Sequence, residues 1–161
     1  MYMYLRYLCF LPLWAAAKIL NYPLAPIVVL FTKSDGFLPD WLWWFQTTDI
    51  PVDGDRPWKA GRRPIENEKN ALHRWVNRTF WLWRNSMYGF RVGVLGYAYK
   101  AGDIFEVEGN PHTSDNDAVE GIERKFIYRD GLKDCFQWYM VYNWPGTEHC
   151  LRINLGWKIF D

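Results

Sequence analysis

Cysteine and histidine are scarce in this sequence, three of each among 161 residues. The cysteines are Cys9, Cys135 and Cys150, an odd number without a CxxC pair, which argues against a disulfide framework and fits a reducing compartment. His73, His112 and His149 lack zinc-ligand spacing with them, and nothing in the pattern brings a base to a cysteine nucleophile. No Walker loop, GxGxxG, GxSxG or HExxH run occurs, so the usual signatures of nucleotide binding, ester hydrolysis and zinc proteolysis are missing. The sequence implies no cofactor and no catalytic residue. A glycosylation sequon at Asn77-Arg78-Thr79 falls inside an expected helix and reads as chance.

Net charge is also small, at +1, but it is unevenly spread. Residues 33–55 carry one cation and five anions, residues 56–100 ten cations and two anions, and residues 101–123 seven anions and no cation. Neighbouring blocks of opposite sign compensate each other in a fold or across a subunit contact. The acidic block also opposes broad contact with phosphate, which argues against nucleic acid as a partner.

What the chain has in plenty is aromatic surface: 11 Trp, 10 Tyr and 10 Phe. Such residues favour sheets, interfaces and the membrane–water boundary, and they provide ample material for a core. A mean hydropathy of −0.29 excludes a polytopic membrane protein.

Residues 7–32 form an apolar run interrupted by Lys18, Asn21, Thr32 and three prolines, Pro12, Pro23 and Pro26. Arg6, the core from Tyr7 to Trp14 and Ala15-Ala16-Ala17 resemble a secretory signal. A single span is opposed by Lys18, since a charge at mid-membrane costs about 2.5–3.5 kcal/mol on insertion scales. The prolines predict a third arrangement: a helix, a bend over Asn21–Pro26, and a second apolar segment ending at Phe31. That hairpin would meet a membrane interface or partner subunits through Leu8, Phe10, Trp14, Ile27, Leu30, Phe31, Trp41, Trp43 and Trp44.

Trp41–Asp55 reads as a joint, with aromatic rings that dock the N-terminal segment and aspartates that tie the loop to the basic block. Asp49, Asp53 and Asp55 are weak candidates for a hard cation, because the spacing fails the EF-hand pattern. Asx-turns and ion pairs to Arg56, Arg62 and Arg63 explain them more simply.

Residues 46–65 hold three prolines and two glycines and read as loop. A helix is expected from Glu66 to about Asn85, with Leu72, Trp75, Val76, Thr79, Leu82 and Trp83 on one face. The opposite side collects His73, Arg74, Asn77, Arg78 and Trp81, and with Arg84 it makes a basic face. Phe90–Tyr99 reads as a strand with glycine bulges, and residues 109–121 as an acidic loop. Strands follow at about 122–129, 134–144 and 149–159. A two-residue Pro145-Gly146 turn would pair Met140 with Leu151, Trp138 with Ile153 and Phe136 with Leu155. A bulged Asp130-Gly131 turn, with Gly131 left-handed, would align Phe126 with Phe136 and Arg124 with Trp138.

The runs Gln46-Thr47-Thr48-Asp49, Asp53-Gly54-Asp55 and Trp81–Phe90, with Leu155-Gly156-Trp157-Lys158, resemble a family of small uncharacterised tailed-bacteriophage proteins. That family carries a QTPDN…DGD loop and a WLWRNPAYGF helix end. The chain departs from it at Thr48-Asp49-Ile50, where the pattern is Pro-Asp-Asn, and at Ser86-Met87, where it is Pro-Ala. The resemblance implies a viral origin and synthesis in the host cytoplasm, and no activity.

The expected fold is α+β: an N-terminal apolar helical hairpin (residues 1–45), then a small domain (residues 46–161) of one amphipathic helix and a C-terminal antiparallel β-meander. The Trp75/Trp83 face should pack on Phe136, Trp138 and Ile153. The expected role is a non-enzymatic accessory protein at the host inner membrane. The alternative is a virion component (tail, neck or minor capsid) with the apolar segment buried between subunits. Membrane surface, other viral or host chains, or a second copy of the chain are the expected partners.

Overall fold

A computed structural model describes residues 2–98, 100–113, 119–146 and 150–160. The chain is α+β, with helices α1 (Tyr2–Val28), α2 (Ala71–Arg84) and α3 (Tyr88–Leu95) followed by strands. These are β1 (Gly96–Ala98), β2 (Ile104–Gly109), β3 (Gly121–Arg129), β4 (Leu132–Asn143), β5 (Cys150–Gly156) and β6 (Lys158–Phe160). Two compact units result, one from Met1–Phe10 with Leu95–Asp161, the other from Leu11–Val94. The boundary read from the sequence after residue 45 lies inside the second of these.

α1 is one continuous helix with Pro12, Pro23 and Pro26 inside it, and the expected bend at Asn21–Pro26 does not form. Proline removes the N–H that would bond the carbonyl four residues earlier. For Pro26 that carbonyl belongs to Tyr22, and the indole N–H of Trp83 donates to it at 3.0 Å. The carbonyl of Pro26, in the last turn of α1, accepts from the indole N–H of Trp75 at 2.7 Å. In return Asn21 donates its amide to the carbonyl of Leu82, in the last turn of α2, at 3.0 Å. The two helices thus supply partners to each other's carbonyls, and α1 runs on as a single element.

These bonds also correct the expected packing of α2. Its Trp75/Trp83 face lies on α1, not on the sheet. Ala25, Val28, Val29, Leu38, Leu42, Val52, Trp58, Trp81 and Leu82 form the core of this unit, with Trp75 and Trp83 packed against it. α2 begins five residues later than expected, because Asn70 caps it by accepting from the backbone N–H of His73.

Tyr88–Leu95 is helical where a strand is expected. Gly89 and Gly93 stand four apart, on one side of α3. A Cβ on Gly89 would lie 2.2 Å from the carbonyl oxygen of Trp43, and one on Gly93 would lie 2.3 Å from its ring. The glycines are there to admit the turn Asp40–Phe45.

In the other unit, β2-β3-β4-β5 form a four-stranded antiparallel sheet, and β1 pairs with β6 in parallel. β2 has no counterpart among the strands expected from the sequence. Phe126 stands opposite Phe136 and Arg124 opposite Trp138. The turn is a two-residue one, with both Asp130 and Gly131 at positive φ, and the extra residue is Asp134, between Cys135 and Lys133. In the last hairpin Met140 faces Ile153, Trp138 faces Leu155 and Tyr142 faces Leu151, two residues from the expected register. A two-residue slip keeps every side chain on its expected face. The middle of that loop, residues 147–149, and of the acidic loop, residues 114–118, lie outside the described residues.

The first turns of α1 pack on this sheet. Tyr4 and Tyr7 meet the ring of Phe136 at 4.7 and 5.4 Å between centroids, and Tyr7 meets Trp157 at 5.4 Å. Asp134, freed from ladder pairing by the bulge, accepts from Arg6 at 3.1 Å and from the Tyr97 hydroxyl at 2.8 Å. Behind it, Arg129 holds the buried Asp103 with two hydrogen bonds of 2.9 Å.

Candidate functional site

Along α1 one seam is covered. Met3, Tyr7, Ala17, Asn21, Ala25 and Val28 are buried, with half-buried Phe10 and Trp14 at the intervening positions, in steps of three or four residues. The rest of the circumference is exposed and almost wholly apolar: Leu5, Leu8, Leu13, Leu20, Ile27 and others stand out from it. The segment Tyr2–Phe31 has the length and composition of a membrane-crossing helix, with 28% of its most apolar window buried. A water-facing side of a soluble helix is polar; an apolar circumference belongs to a helix covered on all sides.

Of the residues named from the sequence for this surface, Leu8, Ile27, Leu30, Phe31, Trp41 and Trp44 are exposed. Leu30 and Trp41 are the most open, at 69% and 66%. Phe31 and Trp41 touch edge to face at 5.5 Å, continuing the surface beyond the helix end. Trp43 turns inward to fill the groove left by Gly93. Trp14 lies under the ammonium of Lys18, 4.3 Å from the ring centroid, a cation–π contact that holds the charge beside apolar neighbours.

The basic face of α2 divides. Trp81, placed by periodicity among the arginines, is 2% exposed and packs on Trp58 at 5.5 Å. α2 is buried on two sides, and the second side meets the Asp53-Gly54-Asp55 turn. A Cβ on Gly54 would lie 2.2 Å from the Trp58 ring, so only glycine at φ 82° lets the backbone pass there. Arg84 covers both indoles from outside, 5.7 Å from Trp58 and 5.6 Å from Trp81.

Arg74 and Arg78 instead line a polar cleft of about 380 Å³ together with Ser34, Asp53, Lys59, Arg63 and Glu68. Asp53 receives Arg78 in a two-pronged pair of 2.7 and 3.0 Å; the expected pairing with Arg56, Arg62 or Arg63 does not occur. Glu68 accepts from Arg74 at 2.9 Å and from Asn77 at 3.3 Å. Burial pushes the Glu68 carboxyl up, but these hydrogen bonds outweigh it and hold the group below the usual carboxylate range. The Nε of Arg63 is buried without a hydrogen-bond partner among the described residues. No feature of the sequence announced this cleft, because Ser34, Lys59 and Arg74 meet only through the fold.

The aspartates of the joint are occupied in other ways. Asp55 accepts the backbone N–H of Trp58 at 2.8 Å, and Asp49 is exposed. Among the described residues no group of three or more His, Cys, Asp or Glu side chains could hold a metal ion. Cys135 is buried, and desolvation pushes its thiol up to about 12, leaving no thiolate for chemistry at neutral pH.

No curated protein and no solved structure matches the chain. A family described as of unknown function (DUF7338) matches residues 1–161, and the protein therefore belongs to the DUF7338 family.

Proposed function

We propose that the protein is a non-enzymatic accessory protein that lies on a membrane through the uncovered side of α1 and the aromatic turn after it. The observation that carries this reading is the single buried seam of a helix whose remaining, exposed circumference is almost wholly apolar. Each large apolar side chain moved out of water contributes about 1.5–3 kcal/mol, and Ile19, Leu20, Ile27, Leu30, Phe31 and Trp41 all stand in it. The seam favours an orientation in the interface plane over a free span, because a span would strip α1 from Trp75 and Trp83. Trp41 and Trp44 suit the headgroup layer, where a ring can be half in and half out of water. The bacteriophage origin and the host inner membrane, implied by the resemblance of the loop and helix-end runs, complete the proposal.

Vesicle flotation of the full chain tests it. Co-flotation is expected, reduced about tenfold or more by the combined Leu30→Ser, Phe31→Ser and Trp41→Ser changes. Full recovery of the unaltered protein in the aqueous fraction would overturn it.

A second reading buries the same helix between subunits of a virion. It is favoured by another apolar surface, on the sheet, where Ile122, Tyr142, Leu151 and Ile153 are exposed around a cleft of about 370 Å³. Mass spectrometry of purified particles decides this one, since absence from the particle excludes it.

A further inference from the structure

We infer that the cleft between Ser34, Lys59, Arg63 and Arg74 binds a phosphate group, the chemistry shared by an acidic lipid headgroup and a free phosphate ion. For its lipid source alone, this rests on the membrane reading above.

Four cations and two carboxylates line the cleft, a surplus of two positive charges in a space of about 380 Å³. Both carboxylates are already engaged, Asp53 by Arg78, and Glu68 by Arg74 and, at a longer 3.8 Å, by Arg63. Two carboxylates hold three guanidinium groups in place and do not neutralise the whole. Lys59 pairs with no carboxylate among the described residues, and although a terminal nitrogen of Arg63 pairs with Glu68, its buried Nε still lacks an acceptor. Arg63 gives one of its terminal nitrogens to the carbonyl of Glu66, which anchors the side chain at the wall of the cleft. A buried donor without an acceptor is costly, and a bound phosphate oxygen would supply one. The space has room for an anion with part of its water shell, since one water occupies about 30 Å³.

The position of the cleft is suited to a headgroup. Ser34 follows the exposed Phe31 by three residues, so their Cα atoms are at most about 11 Å apart. Leu30, Phe31 and Trp41 would sit among acyl chains or headgroups while the phosphate of the same leaflet falls within reach of Arg63 and Lys59.

The test uses the full chain in an uncharged detergent, titrated with inorganic phosphate by calorimetry. Saturable binding is expected, weakened about tenfold or more by Lys59→Gln with Arg63→Gln. Lys59→Gln alone, which breaks no ion pair among the described residues, should weaken it in part. Arg62→Gln removes the same charge outside the cleft and should leave it unchanged. Absence of saturable binding, or an equal loss with Arg62→Gln, overturns the inference.

Flotation with phosphatidylcholine vesicles, with and without phosphatidic acid, then identifies the source. Stronger flotation with phosphatidic acid, lost in the Lys59→Gln, Arg63→Gln protein, assigns the lipid headgroup. Phosphate binding without any flotation leaves the cleft standing and overturns the membrane reading. Equal flotation on both vesicles, without phosphate binding, does the reverse.

Discussion

Trp83 donates its indole N–H to the carbonyl of Tyr22, the group that Pro26 deprives of its helical partner. Replacing Trp83 by Phe keeps an aromatic ring but removes the donor, and the lost hydrogen bond alone should cost about 0.5–1.5 kcal/mol in urea unfolding. In a Pro26→Ala background the helix supplies its own N–H to Tyr22, and the same replacement should cost less than half as much. Equal costs in both backgrounds would show that the bond does not serve the proline.

Asn21 is fully buried, and its amide bonds the carbonyl of Leu82. Asn21→Ala should lower stability by about 1–3 kcal/mol, because it strands a buried carbonyl at the end of α2. Asn21→Asp, which also lacks the amide donor, should rescue nothing at neutral pH. Recovery of stability by Asp would contradict the assigned geometry.

Gly89→Ala and Gly93→Ala should both destabilise, by about 1–3 kcal/mol or more, through overpacking against Trp43. Gly89 should be the worse, since its new methyl meets backbone while that of Gly93 meets a side chain. Trp43→Ala should then relieve Gly93→Ala and not Gly89→Ala. Thermal melts of the four proteins would reveal the order.

Acid should loosen the sheet unit at a defined place. The hydrogen bonds of Arg129 hold the carboxyl of Asp103 below its ordinary value, against the opposing effect of burial. A lowered folded-state pKa adds stability above the unfolded value, near 3.9 for Asp, which is lost as pH falls through the folded value. Stability should therefore be flat near neutrality and decline below about pH 4. Asp103→Asn should flatten that decline; an unchanged acid slope would exclude Asp103 as its source.

Thiol reactivity should follow exposure. Cys9 is exposed and Cys135 buried, its thiol pushed up to about 12 by burial. A disulfide reagent at neutral pH should modify Cys9 in the folded protein and Cys135 only after denaturant is added. Equal rates, read by mass spectrometry of peptides, would place Cys135 in solvent.

Local signals in the sequence were good guides where the partner lay near in the chain. The α+β class, the apolar first segment and the facing of Phe126 with Phe136 follow from patterns a few residues long. Pro26 misled because the carbonyl it strands, that of Tyr22, finds its partner 61 residues further on, in Trp83. Trp81 misled because periodicity finds the face of a helix that meets one neighbour, and α2 meets two. Gly93 reads as a bulge in a strand over Phe90–Tyr99, although its spacing of four from Gly89 is also that of a helix face meeting a bulky neighbour. The basic cleft gathers residues from 34 to 78, and no linear motif connects them.

An anchor that can be cut away leaves a folded domain behind, and α1 is not of that kind. Its inner seam provides Ala25, Val28 and Val29 to the same core as Leu82 and Trp81, and its carbonyls are partners of α2. Removing the greasy segment to gain solubility would therefore remove a wall of the protein together with its exposed apolar side. The helix that faces outward cannot be handled separately from the helix that faces inward, because they are two sides of one rod.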